Sequence, residues 1–110
     1  MGTGWYVRGV ADTLTFTATV WVTPGEAGWH FVTLPEELAD EVEARYAGPR
    51  RGFGAVRVKA RIGETRWVTS MFPSTAAGSY ILPLKREVRV AEGIDNGTVA
   101  AVELEVPDLR

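Results

Sequence analysis

Residues 31–37 read FVTLPEE, and residues 80–86 read YILPLKR. In both segments an apolar, β-forming run is followed by Leu-Pro and then by residues that suit a helix. A glycine turn and an alternating strand come next in each copy, and this strand starts at Val56 in the first copy and at Val99 in the second. The repeated order predicts a pseudo-twofold barrel whose two halves cover each other's sheet edges.

Apolar and polar residues alternate in the segments around this internal repeat, and such alternation is typical of strands with one buried face. The clearest case is residues 12–23, DTLTFTATVWVT, where threonines oppose the apolar side chains. A helix is predicted after Pro35, since Glu36 and Glu37 complement the helix dipole there. A second short helix is predicted over residues 85–91. The predicted strands are 12–23, 29–34, 56–62, 65–72, 79–82 and 99–106. The expected fold is mostly β: a closed barrel of about six strands with two short helices.

The chain has 110 residues, of which 45% are hydrophobic, and these values suit one globular domain with a single core. We expect residues 1–11 to be an N-terminal extension, residues 12–106 to form the barrel, and residues 107–110 to be a C-terminal tail. No apolar run approaches the roughly 18 residues of a membrane span. The expected location is therefore the cytoplasm, with no membrane partner.

The composition limits the possible chemistry. The chain has no cysteine, which excludes disulfides, thiolate metal sites and cysteine nucleophiles. Its single histidine, His30, argues against histidine-based metal sites and catalytic triads. Twelve basic and fourteen acidic residues give a formal net charge of -2, so the chain as a whole does not favour polyanions. We expect no cofactor and no metal.

Basic residues are concentrated in the middle of the chain. Seven of the twelve lysines and arginines lie between Arg45 and Arg66, and only Glu64 opposes them in that span. They are Arg45, Arg50, Arg51, Arg57, Lys59, Arg61 and Arg66. One interpretation is an anion-binding or nucleic-acid-binding face, because glycine-loop amides beside Arg50 and Arg51 can hold phosphate. The other interpretation is ion pairing across the sheet, if the last strand pairs with the third and brings Glu103 and Glu105 alongside.

Two further patterns suggest other sites. Residues 51–58, RGFGAVRV, resemble an RNA-recognition strand, but alanine and valine stand where aromatic side chains would stack on bases. A ligand pocket near Trp67, Ser70 and Arg89 is a separate possibility. Ser70 lacks a base in the sequence, which argues against a nucleophile. The large aromatic residues on strands are expected to pack the barrel and close its ends: Trp21, Trp29, Trp67 and Tyr80.

The chain resembles a small bacterial family known as a domain of unknown function, whose fold is a double-split β-barrel similar to AbrB and MazE transcription factors. The resemblance implies that barrel for residues 12–106 and implies no established activity. Some members of the family are fused to a bacteriocin-protection (OmpD-associated) domain. One departure is Gly97-Thr98, where the family pattern has Gly-Asp. The matching segments are 16–21, 28–35, 51–54, 56–60, 67–70, 80–85, 88–89 and 93–94.

The sequence favours a non-enzymatic binding module with a local basic face. The expected partner is an anionic ligand or an acidic protein surface, and nucleic acid would bind only weakly. The alternatives are the pocket near Trp67, used as an enzyme or as a small-molecule binder, and a purely structural docking domain. We expect a monomer or weak dimer, because the two halves already pair within one chain. The expected binding surface is basic and comprises Arg50, Arg51, Arg57 and Lys59, joined by Lys85 and Arg89 from the second half.

Overall fold

The computed structural model describes residues 13–47, 54–107 and 109. It contains seven strands and two helices in that part of the chain. In chain order they are β1 (Thr13–Thr19), β2 (Trp21–Val22), β3 (His30–Thr33), α1 (Glu36–Arg45), β4 (Val56–Ile62), β5 (Thr65–Ser74), β6 (Ser79–Pro83), α2 (Arg86–Glu92) and β7 (Val99–Glu105). The prediction of a mostly β domain with two short helices is confirmed.

The strands form one curled, half-barrel sheet in the order β1-β7-β4-β5-β6-β3-β2, and neighbouring strands are antiparallel. The ten-residue β5 makes this curl possible because it serves two neighbours in turn. Its first seven residues pair with β4, and its last three pair with β6. The buried apolar side chains of the sheet and of the helices form one core.

The strand order is open, with β1 and β2 at its two ends. The expectation of a closed barrel of about six strands therefore needs correction. The segment predicted as one strand, 12–23, is interrupted at Val20. The N–H of Val20 donates to the Thr98 carbonyl at 2.8 Å, and its carbonyl accepts from the N–H of Gly97 at 2.8 Å. These bonds to the turn before β7 end the β1 ladder. The chain then forms β2, which pairs with β3 at the other end of the strand order.

The two copies of the internal repeat pair with each other: β3 lies beside β6, and β4 lies beside β7. Leu82-Pro83 follows Leu34-Pro35 by 48 positions, and the same offset relates Thr33 to Ile81. Thr33 and Ile81 are direct partners in the β3–β6 ladder. The β3–β6 ladder therefore pairs equivalent positions of the two copies at this point.

The predicted alternation determines which side chains enter the core. Along β4 the buried residues are Val56, Val58, Ala60 and Ile62, and the residues between them point outward. From β7, Val102 and Leu104 join the same core. Helix α1 contributes Leu38, Ala39 and Val42 to the core. No helix of the described residues is long and apolar enough to span a bilayer.

The four large aromatic residues do not share one role. Trp67 and Tyr80 are buried in the core, as expected. Trp29 is 62% exposed in the loop between β2 and β3, so the expectation that it packs the barrel is wrong. Trp21 is half-buried, and its ring centroid lies 5.0 Å from that of Phe31. Its Nε1–H donates to Thr33 Oγ1 at 2.9 Å. Its cross-strand partner Phe31 lies on the face of β3 opposite the buried Val32, so Trp21 covers the outer side of the sheet.

The turn between β4 and β5 predicts a measurable stability effect. Gly63 has a φ of 60°, and a Cβ there would collide with the Glu92 carboxylate, which accepts from Thr65 Oγ1 at 2.6 Å. We expect Gly63→Ala to lower the free energy of unfolding by about 1–3 kcal/mol, because left-handed backbone strain adds to the disturbed hydrogen bond. Urea denaturation measures the change.

Gly78 provides the matched control, since its φ is 66° and a Cβ there would meet nothing within 4 Å. Gly78→Ala should cost about 1 kcal/mol, from backbone strain alone. Equal losses for the two variants would contradict a role for the Glu92 contact.

Candidate functional site

The outer side of β7, β4 and β5 carries charged side chains in cross-strand rows. Along β4 these are Arg57, Lys59 and Arg61, which alternate with its buried residues. On β5, Arg66 is the direct partner of Arg61. Directly opposed residues of an antiparallel pair have Cβ atoms roughly 4.5–5.5 Å apart, so register decides which charges meet. We call Arg57, Lys59, Arg61 and Arg66 the basic face.

Arg61 is neutralised within the protein. It lies opposite Glu103 of β7, and its Nε donates to Glu103 Oε1 at 2.9 Å while Nη2 donates to the same oxygen. Its Nη1 donates to the Gly63 carbonyl at 2.8 Å. This arrangement confirms that β7 pairs with β4 and that Glu103 balances a basic residue there. Arg45 is also paired, with Glu41 at 2.8 Å along helix α1.

The other three members of the basic face are exposed, and none takes part in an ion pair among the described residues. Lys59 has Glu105 directly opposite it on β7, so its row is balanced in charge. Arg57 lies opposite Ser70, which carries no charge. Arg66 lies opposite another cation, Arg61, and the nearby carboxylate of Glu103 is bound by Arg61. Uncompensated positive charge therefore remains at the two ends of the face.

A shallow pocket of about 230 Å³ lies on this side of the sheet. Val68 lies beside Lys59 in the middle row and is 58% exposed, which gives the pocket an apolar element. The alternation of β5 places Val68 on the same face as Arg66 and Ser70. Val68 has no role in the sequence-based predictions, although its alternation with Arg66 and Ser70 is visible in the sequence. The pocket is lined by Lys59, Ala60, Arg61, Arg66, Trp67, Val68, Glu103 and Glu105.

Four further cations that the sequence predicts for the binding surface are not part of the basic face. Arg50 and Arg51 fall outside the described residues. Lys85 is exposed just before helix α2. Arg89 lies on α2, where its Nε donates to the Leu84 carbonyl at 3.0 Å. Neither Lys85 nor Arg89 lines the pocket beside Val68.

The alternative pocket near Trp67, Ser70 and Arg89 is not assembled as expected. Trp67 is only 7% exposed and belongs to the core, whereas Ser70 faces outward opposite Arg57. The two side chains therefore lie on opposite faces of β5. The described residues contain no cluster of three or more side chains that could hold a metal ion.

The sequence matches a family model, described as "Domain of unknown function (DUF1905)", over residues 16–104. The match includes every described strand at least in part, together with both helices and the whole basic face. No curated protein shows significant similarity to the chain.

The ion pair on the basic face predicts a modest coupling energy. Arg61 and Glu103 side chains are 41% and 35% exposed, so solvent screens the attraction between them. A double-mutant cycle of Arg61→Gln and Glu103→Gln should give about 0.2–1 kcal/mol of coupling in the free energy of unfolding, decreasing in high salt. Thermal or urea denaturation measures it.

The control is a cycle of Lys59→Gln and Glu105→Gln, whose residues are opposed in register without an ion pair among the described residues. Its coupling should be smaller. A coupling in the Lys59–Glu105 cycle that equals or exceeds the other would show that register alone sets the interaction.

Proposed function

The chain belongs to the DUF1905 family of domains of unknown function. We propose that it is a non-enzymatic binding module whose basic face holds an anionic partner. The observation that carries the proposal is the uncompensated charge of Arg57 and Arg66 on a sheet whose other charges are matched across strands. In a chain of formal net charge -2, this charge is a local feature.

The row that contains Arg61 and Arg66 supports this proposal. Like charges directly opposite each other destabilise an antiparallel pair. Glu103 relieves Arg61 on one side, and Arg66 has no equivalent carboxylate partner among the described residues. A bound carboxylate or phosphate would provide this missing partner. Binding would therefore remove a repulsion that the free protein retains.

Discrete anionic groups fit this face better than a long polyanion. Glu103 and Glu105 border the cations along β7, and both are half-buried. A nucleic acid strand crossing the face would bring phosphates near these carboxylates and lose part of its electrostatic attraction. Weak nucleic-acid binding is therefore a lesser alternative, to be compared in the same assay.

We also propose that the curled sheet is a variant of the double-split barrel suggested by the sequence resemblance. Two features support this: β5 serves two neighbours, and the chain passes from one end of the strand order to the other at Val20. The expected cytoplasmic location and the monomer or weak-dimer state also stay predictions.

The binding proposal is tested by titrating the isotope-labelled protein with inorganic phosphate, glutarate and a mixed-sequence oligonucleotide at low ionic strength. Phosphate and glutarate should shift the amide resonances of β4 and β5, and the shifts should shrink as salt is added. The double variant Arg57→Gln/Arg66→Gln should lose most of this response.

Arg86→Gln is the matched control, because Arg86 is an exposed cation on helix α2 that does not line the pocket beside Val68. This variant should respond like the unmodified protein. Absence of any anion response, or equal loss in both variants, would overturn the proposal.

A further inference from the structure

We infer, resting on the proposed function, that the anionic partner is an extended acidic peptide with two carboxylates four residues apart and an apolar side chain midway between them. The inference comes from the order of the three cross-strand rows: a positive row at Arg57, a charge-balanced row with exposed Val68, and a positive row at Arg66. The two positive rows suit carboxylates, and the row between them suits an apolar side chain.

The spacing of the rows matches the repeat of an extended chain. Arg57 and Arg61 lie four residues apart on β4, and Arg66 is the partner of Arg61 on β5. At about 3.3–3.4 Å per strand residue, the two positive rows are separated by about 13 Å. In an extended peptide, side chains at positions i, i+2 and i+4 point the same way and cover that same distance.

The middle row selects an apolar side chain. Lys59 faces Glu105 there, so a third carboxylate on the peptide would meet no excess positive charge. Val68 is 58% exposed beside Lys59 and offers apolar surface at this point. A valine or leucine at position i+2 of the peptide would remove that surface from water.

The three rows also separate a peptide from a nucleic acid. A nucleic acid strand carries a phosphate on every nucleotide, so it would place charge over the middle row as well as over the two ends. Ser70, beside Arg57, supplies a hydroxyl that can hydrogen-bond a peptide carboxylate or carbonyl. The charge pattern therefore favours the peptide.

The experiment compares three blocked pentapeptides by amide-shift titration at about 20 mM salt, where screening is weak. The first is Glu-Thr-Val-Thr-Glu, the second has the same composition with adjacent acids, Glu-Glu-Thr-Val-Thr, and the third replaces the central valine, Glu-Thr-Ser-Thr-Glu. The first should bind about two- to fivefold more tightly than either of the others, as expected for one additional exposed contact.

Protein variants assign the contacts. Arg66→Gln should remove the preference for separated acids, and Val68→Thr should remove the preference for valine over serine at the central position. Arg86→Gln should preserve both preferences. Since Val68 and Arg66 are exposed, all three variants are expected to fold, which circular dichroism checks.

The outcomes separate this inference from the proposed function. If all three peptides bind equally, or if the oligonucleotide binds more tightly than the first peptide, the inference fails while anion binding stands. If neither the peptides nor inorganic phosphate bind, the proposed function fails together with the inference. Tighter binding of the first peptide that is lost in Arg66→Gln supports both.

Discussion

The register between β4 and β7 is the constraint on which the rest of the structure depends. It places Ala60 opposite Leu104 on the buried face of the sheet and Arg61 opposite Glu103 on the outer face. A slip of one residue would turn every side chain of one strand to the other face, burying arginines and exposing the core. Because many buried apolar side chains oppose that slip, the charged pairs outside are held in place by the packing inside.

The charged face follows from that packing. Surface ion pairs contribute little to stability, so the Arg61–Glu103 pair reports the register more than it maintains it. Two strands of unequal charge lie side by side: the outer side of β4 presents three cations, and the paired length of β7 presents two carboxylates. This charge mismatch lies on the outer face of the sheet, where a partner can bind without disturbing the core.

Parts of the fold were predictable because they depend on local patterns. The alternation in residues 56–62 and 99–106 predicted both the strands and their buried faces. The two strands also pair as β4 and β7, which the ion-pairing interpretation required. The break at Val20 was not predictable, since its residue type continues the strand pattern. Only the distant turn at Gly97 and Thr98 captures its backbone groups. The exposure of Trp29 likewise depends on how a loop lies against the sheet.

By itself, the sequence determined that this protein is a small β domain with a duplicated Leu-Pro unit and cations on alternate positions of one strand. Side-chain alternation and turn chemistry are local, so a single chain suffices to show them. The tertiary structure alone decided which cations keep a partner: Arg61 meets Glu103, whereas Arg57 and Arg66 meet a serine and an arginine. Partnering across strands depends on the register between segments distant in the chain, and composition carries no record of that register.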